Sequence, residues 1–259
     1  MYAVSVPRRL ARILNAVLRP LGVELRRREA EDRARRATYA SGLEHLKRAG
    51  FQPRTVIDVG VADGTPALYR AFPDARHVLI EPVEECRPHL DAIKRKFRHV
   101  EYVIAAAARE PGRLVINIHQ DVARSSAYWE SDYTAASVTR RAVTAVTLDQ
   151  LRRERAIEGP ILLKIDVQGA ELDVLAGAQD TLADTECVVL ETSLFEFFRG
   201  APLIDQIVAY MSERGFAVYD VLALQYRPFD GALMMVDLAF VKTNGFLRRL
   251  HRFHPTQLQ

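Results

Sequence analysis

The sequence predicts an α/β fold, a mostly parallel sheet with helices on both faces and an antiparallel last strand, preceded by an N-terminal helical extension. Three observations carry this. Short apolar runs at 55–59, 76–80 and 160–166 read as strands buried on both faces. Segments of helical periodicity alternate with them. Two of the runs break into glycine turns before a helix begins, at Gly60 with Gly64 and at Gly169.

In chain order, Val6, Leu10, Ile13, Leu14, Val17 and Leu18 fall at helical spacing with Arg8, Arg9, Arg12 and Arg19 between them. Two readings stand: a helix packing its stripe on the domain, and a helix lying in a membrane interface. The arginines interrupt any apolar core of a signal peptide. Residues 26–36 are dense in charge and read as a solvated helix or linker. A helix over 39–49 ends at Gly50. Then come a strand at 55–59, a helix at 66–72 with Thr65 as N-cap and Pro66 at its first position, and a strand at 76–80. A helix at 84–97, a strand at 99–106 and an added strand at 113–119 follow. The polar stretch 120–139 is long for a connection, and such loops often serve as lids or binding loops. A strand at 141–147, a short helix from Leu148, a strand ending at Asp166 and a helix over 170–183 come next. A strand at 187–190, a helix at 203–214 and an antiparallel pair at 216–224 and 233–241 close the sheet. The organisation is therefore a basic extension over 1–50, one α/β domain over 51–243 and a basic tail over 244–259.

Apolar residues make up 49% of the 259-residue chain, enough for a large core, and no apolar run reaches the ~18 residues that span a bilayer. Cys86 and Cys187 lack ligand spacing, so no zinc or other metal site is expected, and their scarcity suits a cytoplasmic protein. The net charge of +3 divides unevenly: 1–36 carry +6, 242–259 carry +4, and the body between carries −7. An acidic body repels phosphates, which argues against nucleic acid. Basic ends suit peripheral contact with an anionic membrane, at the inner face of the cell membrane.

The densest stretch is Thr55-Val56-Ile57-Asp58-Val59-Gly60-Val61-Ala62-Asp63-Gly64-Thr65. Strand, glycine loop and helix present backbone N–H groups to a ligand. Glu81 ends the next strand 21 residues after Gly60, a spacing that suits an acid binding both hydroxyls of a ribose. A dinucleotide fingerprint needs glycines at 60, 62 and 65, where the chain has Gly60, Ala62 and Thr65. Asp58 and Asp63, with no neighbouring Lys or Arg, repel a pyrophosphate and favour a cation. S-adenosylmethionine carries an ammonium and a sulfonium. On this loop the chain resembles the class I methyltransferases.

Four stretches together resemble the FkbM family of S-adenosylmethionine-dependent methyltransferases, over about residues 52–243. They are Ile57-Asp58-Val59-Gly60 with Gly64-Thr65; Ile80-Glu81-Pro82; Thr147-Leu148-Asp149; and Leu163-Lys164-Ile165-Asp166-Val167-Gln168-Gly169-Ala170-Glu171. The last departs from the family pattern only at Gln168, where a carboxylate is usual. Ser125-Ser126 matches a small polar pair in the family's middle loop. The resemblance implies a Rossmann-like sheet with a reversed last strand. It also implies O-methylation of a small-molecule or glycan acceptor: a saccharide, a glycolipid or a glycosylated natural product.

The cofactor-binding candidates are then Asp58, Val59, Gly60, Asp63, Gly64 and Thr65 on the first loop, Glu81 and Pro82 at the ribose, and the small Ala106 and Ala107 at the adenine edge. Asp58 reads as orienting the turn and the amino group. Asp166 is the candidate base or orienter, since it ends a strand over the crevice. A helix N-terminal acid favoured by the macrodipole is its other reading. Lys164 and Glu191 complete the catalytic candidates, with a plain buried ion pair as the alternative. Ser125, Ser126, Gln168 and Glu171 are the substrate candidates, with a first-turn helix acid the equal reading of Glu171; Trp129 and Tyr133 offer aromatic faces for a sugar, with a plain solvated loop as the other reading. Gln168 removes a charge beside Asp166, which weakens any argument for a divalent metal. A cofactor-binding scaffold without turnover is the competing function class, and an NAD-linked reductase a more distant one.

Overall fold

The apolar runs assemble as the sequence requires. A computed structural model describes residues 38–132 and 137–252, with Pro20 besides. Contacts set off a compact unit from Thr38 onward, and it opens with helix α1 (Tyr39–Arg48). Thr38 and Ser41 cap that helix reciprocally, and Leu43 and Leu46 point into the core. The readings for 1–36, apart from Pro20, lie outside the described residues.

Seven strands form one sheet in the order β3-β2-β1-β7-β8-β10-β9. They are β1 (Thr55–Val59), β2 (Arg76–Glu81), β3 (Val100–Ile104), β7 (Ile161–Ile165), β8 (Thr185–Ser193), β9 (Phe216–Tyr226) and β10 (Leu233–Lys242). Neighbours from β3 to β8 are parallel, and β10 runs antiparallel to both β8 and β9. Every residue of β1 and β7 is buried, so both faces of the sheet are covered. The two-residue period sends Ile57, Val59, Leu163 and Ile165 to one core and Val56, Leu79 and Leu162 to the other. Asp58 and Lys164 share the second face.

A smaller sheet lies beside it, in the order β4-β6-β5, from β4 (Ala106–Ala107), β5 (Gly112–His119) and β6 (Val138–Val146). The single strand expected at 99–106 is thus two. The chain leaves the large sheet after Ile104, and Ala106–Ala107 pair with β6 instead. The helix expected at 84–97 opens as a tighter turn (Glu84–Cys86) before α3 (Arg87–Lys96), because Pro88 has no N–H to continue an α-turn backwards. Helix α2 (Pro66–Ala71) starts at Pro66, although Thr65 makes no side-chain cap bond.

The helix expected over 170–183 is broken into α5 (Glu171–Ala176) and α6 (Gln179–Ala183). A side chain at Gly177 would meet the Ala108 carbonyl oxygen at 2.2 Å, so close passage of another segment demands glycine where the helix breaks. Asp149, on α4 (Leu148–Glu154), accepts from the N–H groups of Asp180 and Thr181 and caps α6. Thr147 caps α4 itself through Gln150 N–H. Within 120–139, a tight turn spans Val122–Arg124 and β6 begins at Val138, ahead of the expected 141. Tyr133 lies outside the described residues. Helix α7 (Ile204–Glu213) precedes β9, whose outer edge has no strand paired to it among the described residues.

Candidate active site

At the C-terminal ends of the parallel strands opens a cavity of about 1060 Å³, where an open α/β sheet holds its ligands. Its wall takes in Val59, Gly60, Asp63, Gly64 and Thr65 after β1, Glu81 and Pro82 after β2, and Ala106 and Ala107 of β4. It continues through Ser125 and Ser126 to Lys164, Asp166, Gln168 and Glu191. Asp58, Glu171 and Trp129 stand outside the lining.

The first loop is bolted in place by buried polar groups. Gly60 has φ +76°, and a side chain there would meet the Asp166 carbonyl oxygen at 1.7 Å, so the ends of β1 and β7 touch through a bare Cα. Ala62 takes φ +46°, a costly conformation for a residue with a side chain, and its N–H donates to Glu81 Oε2 at 2.9 Å. Glu81 Oε1 accepts from Val83 N–H at 2.9 Å. Burial raises the Glu81 pKa, against those backbone donors and Lys164. Each of its oxygens keeps a lone pair for a ribose hydroxyl.

Asp58 corrects the expectation of direct cofactor contact. It is wholly buried, accepts Tyr69 O–H on Oδ2 at 2.6 Å and lies with Oδ1 at 3.2 Å from Lys164 Nζ. Tyr69 Oη accepts in turn from Thr65 N–H at 3.1 Å. Asp58 therefore fixes the far end of the loop from behind. Burial, then Asp58, drive the Tyr69 pKa well up, so the phenol stays a donor.

The opposite wall holds the charged cluster. Lys164 Nζ sits between Asp58 and Asp166 Oδ2 (3.4 Å), with the Gly60 carbonyl at 3.3 Å. Burial would lower its pKa, but the two carboxylates outweigh burial and raise it, so Lys164 is a fixed cation. Strand register brings the next rung together. Lys164 pairs with Val189 and Glu191 with Asp237, so the two-residue period sets Asp166, Glu191 and Asp237 in one row. Gln168, at φ +55°, donates from Nε2 to Asp166 Oδ1 (2.9 Å) and to Glu191 Oε2 (2.7 Å). Gln225 Nε2 donates to Glu191 Oε1 at 2.7 Å. Burial first, then Asp166 and Asp237, push Glu191 up to about 9. Burial and Asp166 push Asp237 up to about 6. At neutral pH Glu191 is thus a neutral acid beside Asp166.

The remaining substrate candidates are largely engaged in shaping the wall. Ser126 Oγ donates to the Gln168 carbonyl at 2.6 Å and accepts Tyr128 N–H, while Ser125 Oγ accepts His119 N–H. Glu171 is buried in the first turn of α5, and its Oε1 accepts the N–H groups of Val167 and Gly169, so of its two readings the helix acid matches its place and the substrate contact does not. Burial pushes it up to about 7. Trp129 packs against Phe198 and Met235 and is outside the lining.

Sequence reasoning missed Gln225, Asp237 and Tyr69, and also the apolar mouth formed by Phe195, Phe229 and Met234. Arg227 stacks there over Phe195 at 4.3 Å and is neutralised by Asp230. None of these belongs to a local motif. Only the pairing of β10 with β8 would have pointed to Asp237. Among the described residues, no group of three or more His, Cys, Asp or Glu is arranged to hold a metal ion. None of their helices is long and apolar enough to cross a membrane.

The sequence profile of the Methyltransferase FkbM domain matches residues 58–218. None of the curated proteins searched matches the chain. Among solved structures, Methyltransferase FkbM from Methylobacillus flagellatus KT is 13% identical with a TM-score of 0.46. That alignment covers 71% of this chain and 43% of the other, so this chain matches less than half of that protein's length. Magnesium protoporphyrin IX methyltransferase from Synechocystis PCC 6803, with bound SAM, is 10% identical at a TM-score of 0.45, covering 93% and 100% of the two chains. The 1,6-didemethyltoxoflavin-N1-methyltransferase of Burkholderia thailandensis is 10% identical at 0.44, covering 94% and 93%.

Proposed function

We propose that this chain, which belongs to the FkbM methyltransferase family, transfers a methyl group from S-adenosylmethionine to a hydroxyl of a saccharide, glycolipid or glycosylated natural product. The observation that carries the reading is one cavity with two unlike walls, a backbone-rich loop on one side and a braced carboxylate on the other. The residues fit the donor. Glu81 is fixed for the ribose, Ala106 and Ala107 leave room for the adenine edge, and Asp63 brings negative charge toward a cationic ligand. Bound S-adenosylmethionine supplies a methyl on positively charged sulfur, which departs as a neutral thioether.

The chain's own contribution is alignment and proton transfer. Holding the acceptor oxygen in line with the methyl carbon removes much of the barrier in a displacement of this kind. Asp166 Oδ2 is held by Lys164 and Oδ1 by Gln168, so its carboxylate is fixed where the cavity meets the β7 turn. There it accepts the acceptor's proton late, as the oxygen–carbon bond forms. Neutral Glu191 keeps Asp166 in place without adding a second charge. Peripheral contact of the basic termini with an anionic membrane, from the cytoplasmic side, belongs to the same proposal.

Labelled methyl transfer to a panel of glycans and glycolipids tests the reading. Asp166→Asn should lose about 100-fold or more in turnover while donor affinity stays within about threefold. Equal turnover by parent and variant would remove Asp166 from the chemistry. Donor binding without transfer to any hydroxyl acceptor would favour a scaffold.

A further inference from the structure

A second cleft, of about 630 Å³, opens at the opposite end of the large sheet. It is lined by Lys242 at the end of β10, by Arg214 just past α7 and by Arg249 beyond the turn Phe246–Arg248. Buried Leu182 and Phe216 form its floor, and Thr243 and Asn244 add polar side chains at the rim. Register fixes its distance from the active site. The Val241–Cys187 pair lies beside the cleft and the Asp237–Glu191 pair lies at the acceptor wall, so four strand residues, roughly 13 Å, separate the two ends.

Three cations converge here against a single lining carboxylate, Glu186. Lys242 Nζ donates to the Ala183 carbonyl and stands 3.7 Å from Glu186. Arg214 lies over the Tyr210 ring at 3.4 Å; its Nη1 donates to the Tyr210 carbonyl and stands 3.7 Å from Glu213, while its buried Nε has no hydrogen-bond partner among the described residues. Arg249 makes no ion pair with any described residue. Like charges gathered in a cleft with spare donors are complementary to a multiply charged oxyanion, and planar guanidinium groups match phosphate oxygens.

We propose that this cleft binds a phosphate-bearing anion through Arg214, Lys242 and Arg249. The active-site cavity, with the carboxylates of Asp63 and Asp166 in its wall, is the wrong sign for the same ligand. The anion belongs either to a soluble phosphate compound or to a phospholipid headgroup. Exposed Leu250, next to Arg249, would face the acyl region in the second case.

The test is calorimetric titration of the full chain with inorganic pyrophosphate at low salt, beside flotation with vesicles of phosphatidylglycerol or phosphatidylcholine. Saturable pyrophosphate binding is expected, weakened about tenfold or more in Arg214→Gln/Lys242→Gln and severalfold in Arg249→Gln. Arg249 is exposed, so its variant should melt with the parent and guards against misfolding of the double variant. S-adenosylmethionine affinity should be unchanged throughout. Flotation on phosphatidylglycerol that falls with the same variants assigns the site to a headgroup, because the basic termini are common to all the proteins compared apart from Arg249 itself. Pyrophosphate binding without variant-sensitive flotation assigns it to a soluble ligand. Parent and variants binding alike, or no saturable binding by the parent to either probe, would overturn the proposal.

Discussion

Asp166 and Glu191 present two carboxyl groups to one amide nitrogen, and their surroundings set them different tasks. Glu191 is pushed up to about 9, chiefly by burial and then by Asp166 and Asp237. An unfolded glutamate titrates near ~4.3, so between about 4.3 and 9 the folded chain binds one proton more than the unfolded chain. Stability from this group is therefore fully present below the lower value and declines as pH rises through the window, by up to about 1.4 kcal/mol per unit. Glu191→Gln should flatten the fall in stability between pH 6 and 9, measured by urea unfolding at stepped pH. The same variant should keep turnover at neutral pH within about tenfold, because the residue is already uncharged there. A loss as large as that of Asp166→Asn would make Glu191 an ionised participant instead. Asp166 and Glu191 were legible in the sequence because each ends an apolar run, and Lys164 because it is the one charge inside such a run. Asp237 and Gln225 lie in two ordinary strands, β10 and β9, beyond reach of any local spacing, and only strand register joins them to the cluster.

At the scale of elements, the loop after β1 explains why its glycines are needed. Gly60 is pressed against the end of β7, and Asp58, Tyr69 and Glu81 hold the loop from behind and from the side. Gly60→Ala would force a side chain into the Asp166 carbonyl oxygen. It should weaken S-adenosylmethionine binding by about tenfold or more and lower the melting temperature, read by calorimetry and thermal unfolding. Unchanged affinity would mean that the loop does not hold the donor. The strand–loop–helix units were legible because buried parallel strands are apolar throughout. The splits at Gly177 and after Ile104 were not, because each answers a tertiary contact: Ala108 passing Gly177, and β6 capturing Ala106–Ala107. The Thr147-Leu148-Asp149 match proved to be helix capping, a structural duty that a motif comparison does not distinguish from a catalytic one.

Within the described domain, the two clefts at the ends of the large sheet differ in charge. Carboxylates gather at the C-terminal strand ends around the cavity, and cations gather at the other end. Lys242 and Arg249 of that cleft belong to the basic stretch 242–259 but Arg214 belongs to the acidic body, so the charge pattern of the sequence did not locate it. If the basic ends meet a membrane, deletion of residues 1–36, which carry +6, should reduce flotation with anionic vesicles at low salt. Equal flotation of both proteins would take the N-terminal segment out of any such contact. The central claim is the identity of the donor, and one measurement reaches it most directly: calorimetric titration of the purified chain with S-adenosylmethionine, with NAD in a parallel cell. Saturable binding of S-adenosylmethionine alone, weakened in Glu81→Ala, is the predicted result. Binding of NAD in its place, or of neither once co-purified ligand has been excluded by mass spectrometry, would contradict it.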